Sequence, residues 1–299
     1  MSTERTDSAV GRPPAKGWLQ WLWLVRLLAF FVVLVAGDSI AKLSFFWLSR
    51  HEPAAGGDWI LLGAALLLAA ADVGLYVLLI RWTEHRPARE VAPRVGDGVA
   101  GIAAGLAFFS TVLGLLYLIG VVRWQGLASH FDVGPMLAIS ILAAVGEELA
   151  FRGALFRMIA ERCGTATALV VSAAIFGLLH GLNPGATVVS TAAIAIEAGL
   201  LLGAAYALTR NLWFPIGLHL GWNFTEGGIF GASVSGGTSK GLFHIPLSGP
   251  VYLTGGEFGP EASVAAVGVC LVAALVMLVL AAQRGNWQPM RFRFRSAIS

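Results

Sequence analysis

Three apolar stretches carry side chains that hydrocarbon should exclude. ILAAVGEELAFRGALF holds Glu147, Glu148 and Arg152; SAAIFGLLHGLNP holds Phe176 and His180; FPIGLHLGWNF holds His219 and Asn223. Ionisable groups inside membrane segments are costly and mark function by default. Glu148 and Arg152 are four apart, share a helix face and can pair. Glu147 lies about 100° round the helix from Glu148. Two adjacent carboxylates beside one guanidinium suggest two jobs. One stays ionised against Arg152; the other, desolvated beside a like charge, has the setting of a general base. Phe176 and His180 share a face, and so do His219 and Asn223.

Together these are a carboxylate pair, a histidine, and a histidine with an amide, on three segments that a helix bundle can bring round one cavity. A carboxylate and an imidazole can hold and deprotonate water. A second imidazole and a side-chain amide can donate to the oxyanion that forms at an attacked carbonyl. The chemistry this set permits is amide hydrolysis. Each piece alone has a plainer reading: Glu148–Arg152 as a structural salt bridge, His180 as a hydrogen-bonded interior residue, His219–Asn223 as an interhelical clamp. No serine nucleophile elbow, GxGD aspartate pair or HExxH occurs. Two histidines and a glutamate are also a catalytic zinc set, here Glu147, His180 and His219, but the usual local spacing is missing and no cofactor is favoured.

The elements that must position these groups are membrane helices. Of 299 residues, 57% are hydrophobic and 12% charged, with mean hydropathy +0.76; a soluble domain carries about 25% charged residues. Eight apolar segments are expected, at 19–48, 58–82, 98–122, 133–158, 164–182, 186–208, 212–231 and 260–283. The expected fold is an all-α membrane bundle of about eight transmembrane helices with an intramembrane polar cavity. Its organisation reads as a polar cytoplasmic tail (1–17), three N-terminal helices (18–132), a catalytic core of four (133–231), an extracytoplasmic Gly/Ser/Pro-rich loop (232–259), and a last helix with a basic cytoplasmic tail (260–299). With the N-terminus inside, fourteen Lys and Arg fall on the cytoplasmic side and three, Arg50, Arg123 and Lys240, on the other. That excess predicts a multi-pass protein of the cell membrane with both termini cytoplasmic. The bilayer and a peptide or protein substrate are the expected partners. The net charge of +3 belongs to topology rather than to a basic patch, so no nucleic-acid partner is expected. Cys163 and Cys270 are far apart and suggest neither a disulfide framework nor a CxxC metal site. One tension follows from the segment bounds. His219 would lie about 12 Å from the inner end of its span and His180 about 24 Å from that of its own, so the fifth helix must tilt, be displaced, or start outside the core.

The motifs EExxxR at Glu147–Arg152, FxxxH at Phe176–His180 and HxxxN at His219–Asn223 resemble, in order and in the spans that carry them, the three signatures of the CPBP family. These are the CAAX proteases and bacteriocin-processing enzymes, also called Abi. The likeness covers about residues 135–230, including EAGLLLGAAYALTRNLWFPIGLHLGWNF. It implies an eight-helix bundle with a cavity open toward membrane and cytoplasm. It further implies an intramembrane endopeptidase in which Glu147 and His180 activate water, His219 and Asn223 form the oxyanion hole, and Glu148 and Arg152 position the site or the substrate. The substrate implied is a membrane-associated or prenylated-type peptide, and the glutamate mechanism is favoured over the zinc one. Two other classes compete: a non-catalytic immunity or binding protein on the same fold, and a proton-coupled transporter with Glu147, His180 and His219 as relay, for which the inverted repeats are missing. Weaker signals are Glu197, expected to border the cavity or pack inward; Asp38 and Asp72, expected to pair with Arg26 or Lys42 or to sit near interfaces; and Glu257 and Glu261, expected to cap the last helix. Trp18, Trp21, Trp23, Trp47, Trp59, Trp82 and Trp287 read as an interfacial belt.

Overall fold

A computed structural model describes residues 22–51 and 57–290. Trp18, Trp21 and the charged residues of 1–17 and 291–299 lie outside the described residues. The principal helices are α1 Leu22–His51, α2 Gly57–Glu84, α3 Val95–Leu118, α4 Val133–Cys163, α5 Thr165–His180, α6 Val188–Thr209, α7 Trp213–Asn223 and α8 Val264–Gln283. No β-strand forms among the described residues. Isolated bridges at Val122–Leu247 and Leu127–Phe243 pair the loop after α3 with the loop after α7. Three helices contain π-helical turns: Leu149–Phe156 in α4, Ala195–Leu200 in α6, and Phe224–Ile229 continuing α7. Such turns are rare and concentrate at functional sites.

Six of these helices are long and apolar enough to cross a membrane: α1, α2, α3, α4, α6 and α8. The protein is a multi-pass membrane protein. The expected count of eight is not reproduced by this measure, because two elements are short. At 16 residues, α5 rises about 24 Å, less than the roughly 30 Å of a hydrocarbon core. Gly181, Asn183, Pro184 and Gly185 stop it immediately after His180. Half or more of the apolar window of α4 and α6 is buried (50% and 56%), against 28% in α1, α2 and α8. The helices with the most polar residues are therefore the central ones, and the periphery meets lipid. Trp47, Trp59 and Trp82 are exposed near helix ends, as a belt requires.

Helix arithmetic answers the depth problem. α4 and α5 form a hairpin about Gly164, whose positive φ suits glycine. Glu147 lies 17 residues before that glycine and His180 16 after it, so equal rise brings the two level. The corner is tied to the segment following α8, where Thr165 N–H donates to Gln288 O at 3.0 Å. α7 is seated against α3 by small residues. A Cβ on Gly105 would overlap the Leu218 carbonyl, and one on Gly221 would overlap that of Ile102. Gly101 and Gly217, one turn away, are equally close to the opposite backbone, an arrangement of the small-xxx-small kind.

One bundle end is closed by a buried ionic cluster. Arg157 lies buried in α4. Its Nη2 donates to Glu84 Oε1 at 2.6 Å and its Nε to the Gly153 carbonyl at 2.8 Å. Glu90 joins from the α2–α3 connection, accepting from Tyr76 at 2.7 Å and from Arg86 at 2.7 and 2.9 Å. Burial pushes the Glu90 carboxyl up, but Arg86, its own backbone amide, Tyr76 and Arg157 outweigh it and hold the group below its ordinary value.

Candidate active site

The π turn of α4 begins directly after Glu148, and α1 packs beside it. Gly146 makes the approach possible, since a Cβ there would collide with the Asp38 carboxylate. Lys42, one turn beyond Asp38 on α1, then reaches across. Its Nζ donates to Glu147 Oε1 at 2.8 Å and pairs with Asp38 Oδ2 at 2.8 Å. Asp38 thus takes the partner expected of it, while Asp72 and Arg26 form no ion pair among the described residues. The two adjacent glutamates do have separate partners. Glu147, however, is not the carboxylate without a cation that local spacing suggests, because its cation comes from a helix 105 residues away.

Glu148 faces inward and is fully buried. Its Oε1 accepts from Arg152 Nη1 at 2.9 Å and from His219 Nδ1 at 3.1 Å. Arg152 spends its Nη2 on the carbonyls of Ala198 and Gly199, at 3.0 and 3.2 Å, inside the π turn of α6. Its guanidinium lies 4.8 Å from the centroid of the Phe176 ring, a cation–π contact. The other ring contacts of Phe176 are His180 at 4.3 Å, Phe151 at 4.9 Å and His219 at 6.5 Å between centroids. Phe176 is therefore the apolar floor on which both imidazoles and the guanidinium rest.

The histidines present different faces. His180 Nδ1–H donates to the Phe176 carbonyl at 2.9 Å, which leaves Nε2 as the free acceptor. His219 Nδ1–H is committed to Glu148, so donation from its Nε2 requires the doubly protonated ring, flanked on both sides by carboxylates. Glu147 Oε2 lies 3.9 Å from His180 Nε2 and 4.0 Å from His219 Nε2. These gaps are too long for direct hydrogen bonds and suit a water about 2.8 Å from each partner. Asn223 lines the adjoining cavity with His180, His219, Phe176, Glu197, Ser235 and Glu261. The four groups proposed for water activation and oxyanion binding thus meet in one place, with Phe176, Glu148 and Arg152 immediately behind them.

Zinc fits this set poorly. Ligands about 2.0–2.1 Å from a tetrahedral zinc lie about 3.4 Å apart, closer than 3.9 and 4.0 Å. An ammonium bonded to Glu147 would also oppose a second cation. Among the described residues no group of three or more His, Cys, Asp or Glu is arranged to hold a metal ion.

Two residues escaped the sequence reading. Lys42 carried a signal, since an intramembrane cation needs a partner, but nothing local names Glu147. Glu261 was expected at the start of the last helix. Ser263 caps α8 instead, accepting from Ala266 N–H at 3.2 Å. Glu261 turns inward onto Ser235, accepting from its N–H at 2.6 Å and its hydroxyl at 2.8 Å.

Residues 129–225 match the family model of type II CAAX prenyl endopeptidases, Rce1-like. The match covers about a third of the chain and contains all seven motif residues, so the resemblance read from the three motifs is borne out over that span. Lys42 and Glu261 lie outside it. No curated protein matches the chain.

Proposed function

We propose that the protein is an intramembrane endopeptidase that hydrolyses a peptide bond of a membrane-associated substrate with a Glu147/His180-activated water. The observation that carries this reading is the pair of gaps from Glu147 Oε2 to His180 Nε2 and His219 Nε2, 3.9 and 4.0 Å, beside a cavity lined by Asn223. The match to a CAAX endopeptidase family over residues 129–225 supports it. In this reading a water donates one hydrogen to Glu147 and the other to His180. As its oxygen adds to the carbonyl carbon, the departing proton passes to this pair. Negative charge moves to the carbonyl oxygen, which accepts from His219 Nε2–H and the Asn223 amide. Collapse of the tetrahedral intermediate breaks the C–N bond, and the stored proton goes to the leaving amine. Glu148 keeps His219 oriented, and Arg152 anchors Glu148.

Lys42 has a positioning role in this scheme. By holding Oε1 of Glu147 it fixes the rotamer that turns Oε2 toward the histidines. A peripheral helix thereby completes the site. The orientation follows the positive-inside count, with both termini cytoplasmic.

The test is cleavage of membrane-anchored peptides by purified protein in lipid vesicles. Glu147→Ala and His180→Ala are each expected to insert and fold yet cut nothing. If both cut at the wild-type rate, the Glu147/His180 mechanism is lost; if wild type cuts none of the peptides, the non-catalytic binding role takes its place.

A further inference from the structure

Three buried carboxylates at and beside the cavity take no part in the mechanism. Glu197 comes from the π turn of α6, Glu226 from the π turn after α7, and Glu261 from the segment before α8. All three are at most 3% exposed. Among the described residues none forms an ion pair with Lys, Arg or His. Arg152 comes near, but its hydrogen bonds go to Glu148 and to the carbonyls of Ala198 and Gly199. Glu226 Oε1 accepts only from the Glu261 backbone, at 3.3 Å. Glu197 Oε1 has a weak thiol donor, Cys270, at 3.8 Å. Glu197 Oε2 has no hydrogen-bond partner, although the residue is 98% buried by its 2% exposure. That atom belongs to a side chain lining a cavity, and the cavity is the one lined by His219 and Asn223.

An orphaned buried carboxylate oxygen costs more than a packed apolar atom in its place, and three acids gathered without a cation compound the cost. The arrangement is the complement of a cation arriving from outside. Glu197 and Glu261 flank the cavity wall, with the Ser235 hydroxyl beside them. The cavity has room for about one water-sized group, which suits a compact ammonium better than a broad guanidinium. Any cation there sits next to the oxyanion donors, and so belongs to a residue close to the scissile bond.

We propose that Glu197 and Glu261 form a specificity pocket that takes a cationic side chain, lysine before arginine, from a substrate residue adjacent to the cleaved bond. This rests on the peptidase reading above. A lysine ammonium entering the pocket partners Glu197 Oε2 and the Glu261 carboxylate, beside Leu218 and Trp222 in the cavity wall.

The test uses the full-length protein in phosphatidylcholine vesicles and a set of lipid-anchored peptides. Each position near the cleaved bond is varied in turn through Lys, Arg, norleucine, Gln and Glu. Wild type is expected to favour Lys over norleucine at one position by about tenfold or more in kcat/KM. Glu197→Gln and Glu261→Gln should each bring that ratio toward one. The ratio is internal to each variant, so a general loss of folded protein cancels. Equal cleavage of all peptides by wild type overturns the pocket and leaves the peptidase reading standing. A Lys preference unchanged by both substitutions overturns it as well. If wild type cuts none of the set, the peptidase reading falls and the pocket falls with it.

Discussion

Lys42→Gln is the perturbation that separates this site from one built by the motif helices alone. The ammonium lies 2.8 Å from Glu147 Oε1 and 2.8 Å from Asp38 Oδ2, with the side chain 24% exposed. Breaking a buried pair by removing one partner costs about 3–5 kcal/mol. Partial exposure puts this one nearer to about 2–3 kcal/mol. Without the cation, Glu147 and Asp38 repel, and Oε2 is no longer held toward His180 and His219. If most of that energy is expressed in the transition state, kcat falls about a hundredfold. KM should stay within about threefold, because Lys42 bonds Glu147 and Asp38 and does not line the cavity. The assay is a membrane-anchored, internally quenched peptide cut by vesicle-reconstituted protein, with thermal unfolding in detergent as the folding control. Lys42→Cys alkylated with 2-bromoethylamine restores an ammonium at nearly the same reach and should restore most of kcat, with equally treated wild type correcting for Cys163. Retention of kcat in Lys42→Gln would refute the reasoning. So would a loss that the restored ammonium does not repair in a protein that melts like wild type.

Two further outcomes follow from the geometry. Zinc fits the donor set poorly, so treatment with 1,10-phenanthroline and EDTA should leave the cleavage rate within about twofold; a loss reversed specifically by zinc would contradict this. Glu90 is held below its ordinary carboxylate value of 4.5 in the folded protein. Its stabilisation is therefore complete above that value and is lost as pH falls through the lower folded one. Thermal unfolding in detergent should show stability dropping below about pH 4.5, with a flatter profile in Glu90→Gln.

The motif helices were legible because chemistry in hydrocarbon is conspicuous. A Glu-Glu pair, two histidines and an asparagine inside apolar runs have few bland explanations, and i,i+4 spacing paired Glu148 with Arg152 correctly. Even the level of His180 against Glu147 was present in the sequence, in their near-equal distances from Gly164. Segment bounds concealed it by tying each span to the membrane rather than to its neighbour. Lys42 was visible as an intramembrane cation but not as the partner of Glu147, since local spacing has no reach across 105 residues. The π turns leave no hydropathy signature, because they change hydrogen-bond register without changing composition. Glu261 was misread for a related reason. An acid just before a helix reads as a cap, while the chain's return over the cavity, pinned by Ser235 and Glu226, is a tertiary event.

The most direct measurement of the central claim is cleavage of the peptide in heavy-oxygen water, followed by mass spectrometry of the fragments. With wild type, the account predicts one heavy oxygen in the newly formed carboxyl terminus and an unlabelled new amine. With Glu147→Gln it predicts intact peptide. Labelled product appearing at the wild-type rate from Glu147→Gln would contradict the account, as would no product from wild type with any membrane-anchored peptide.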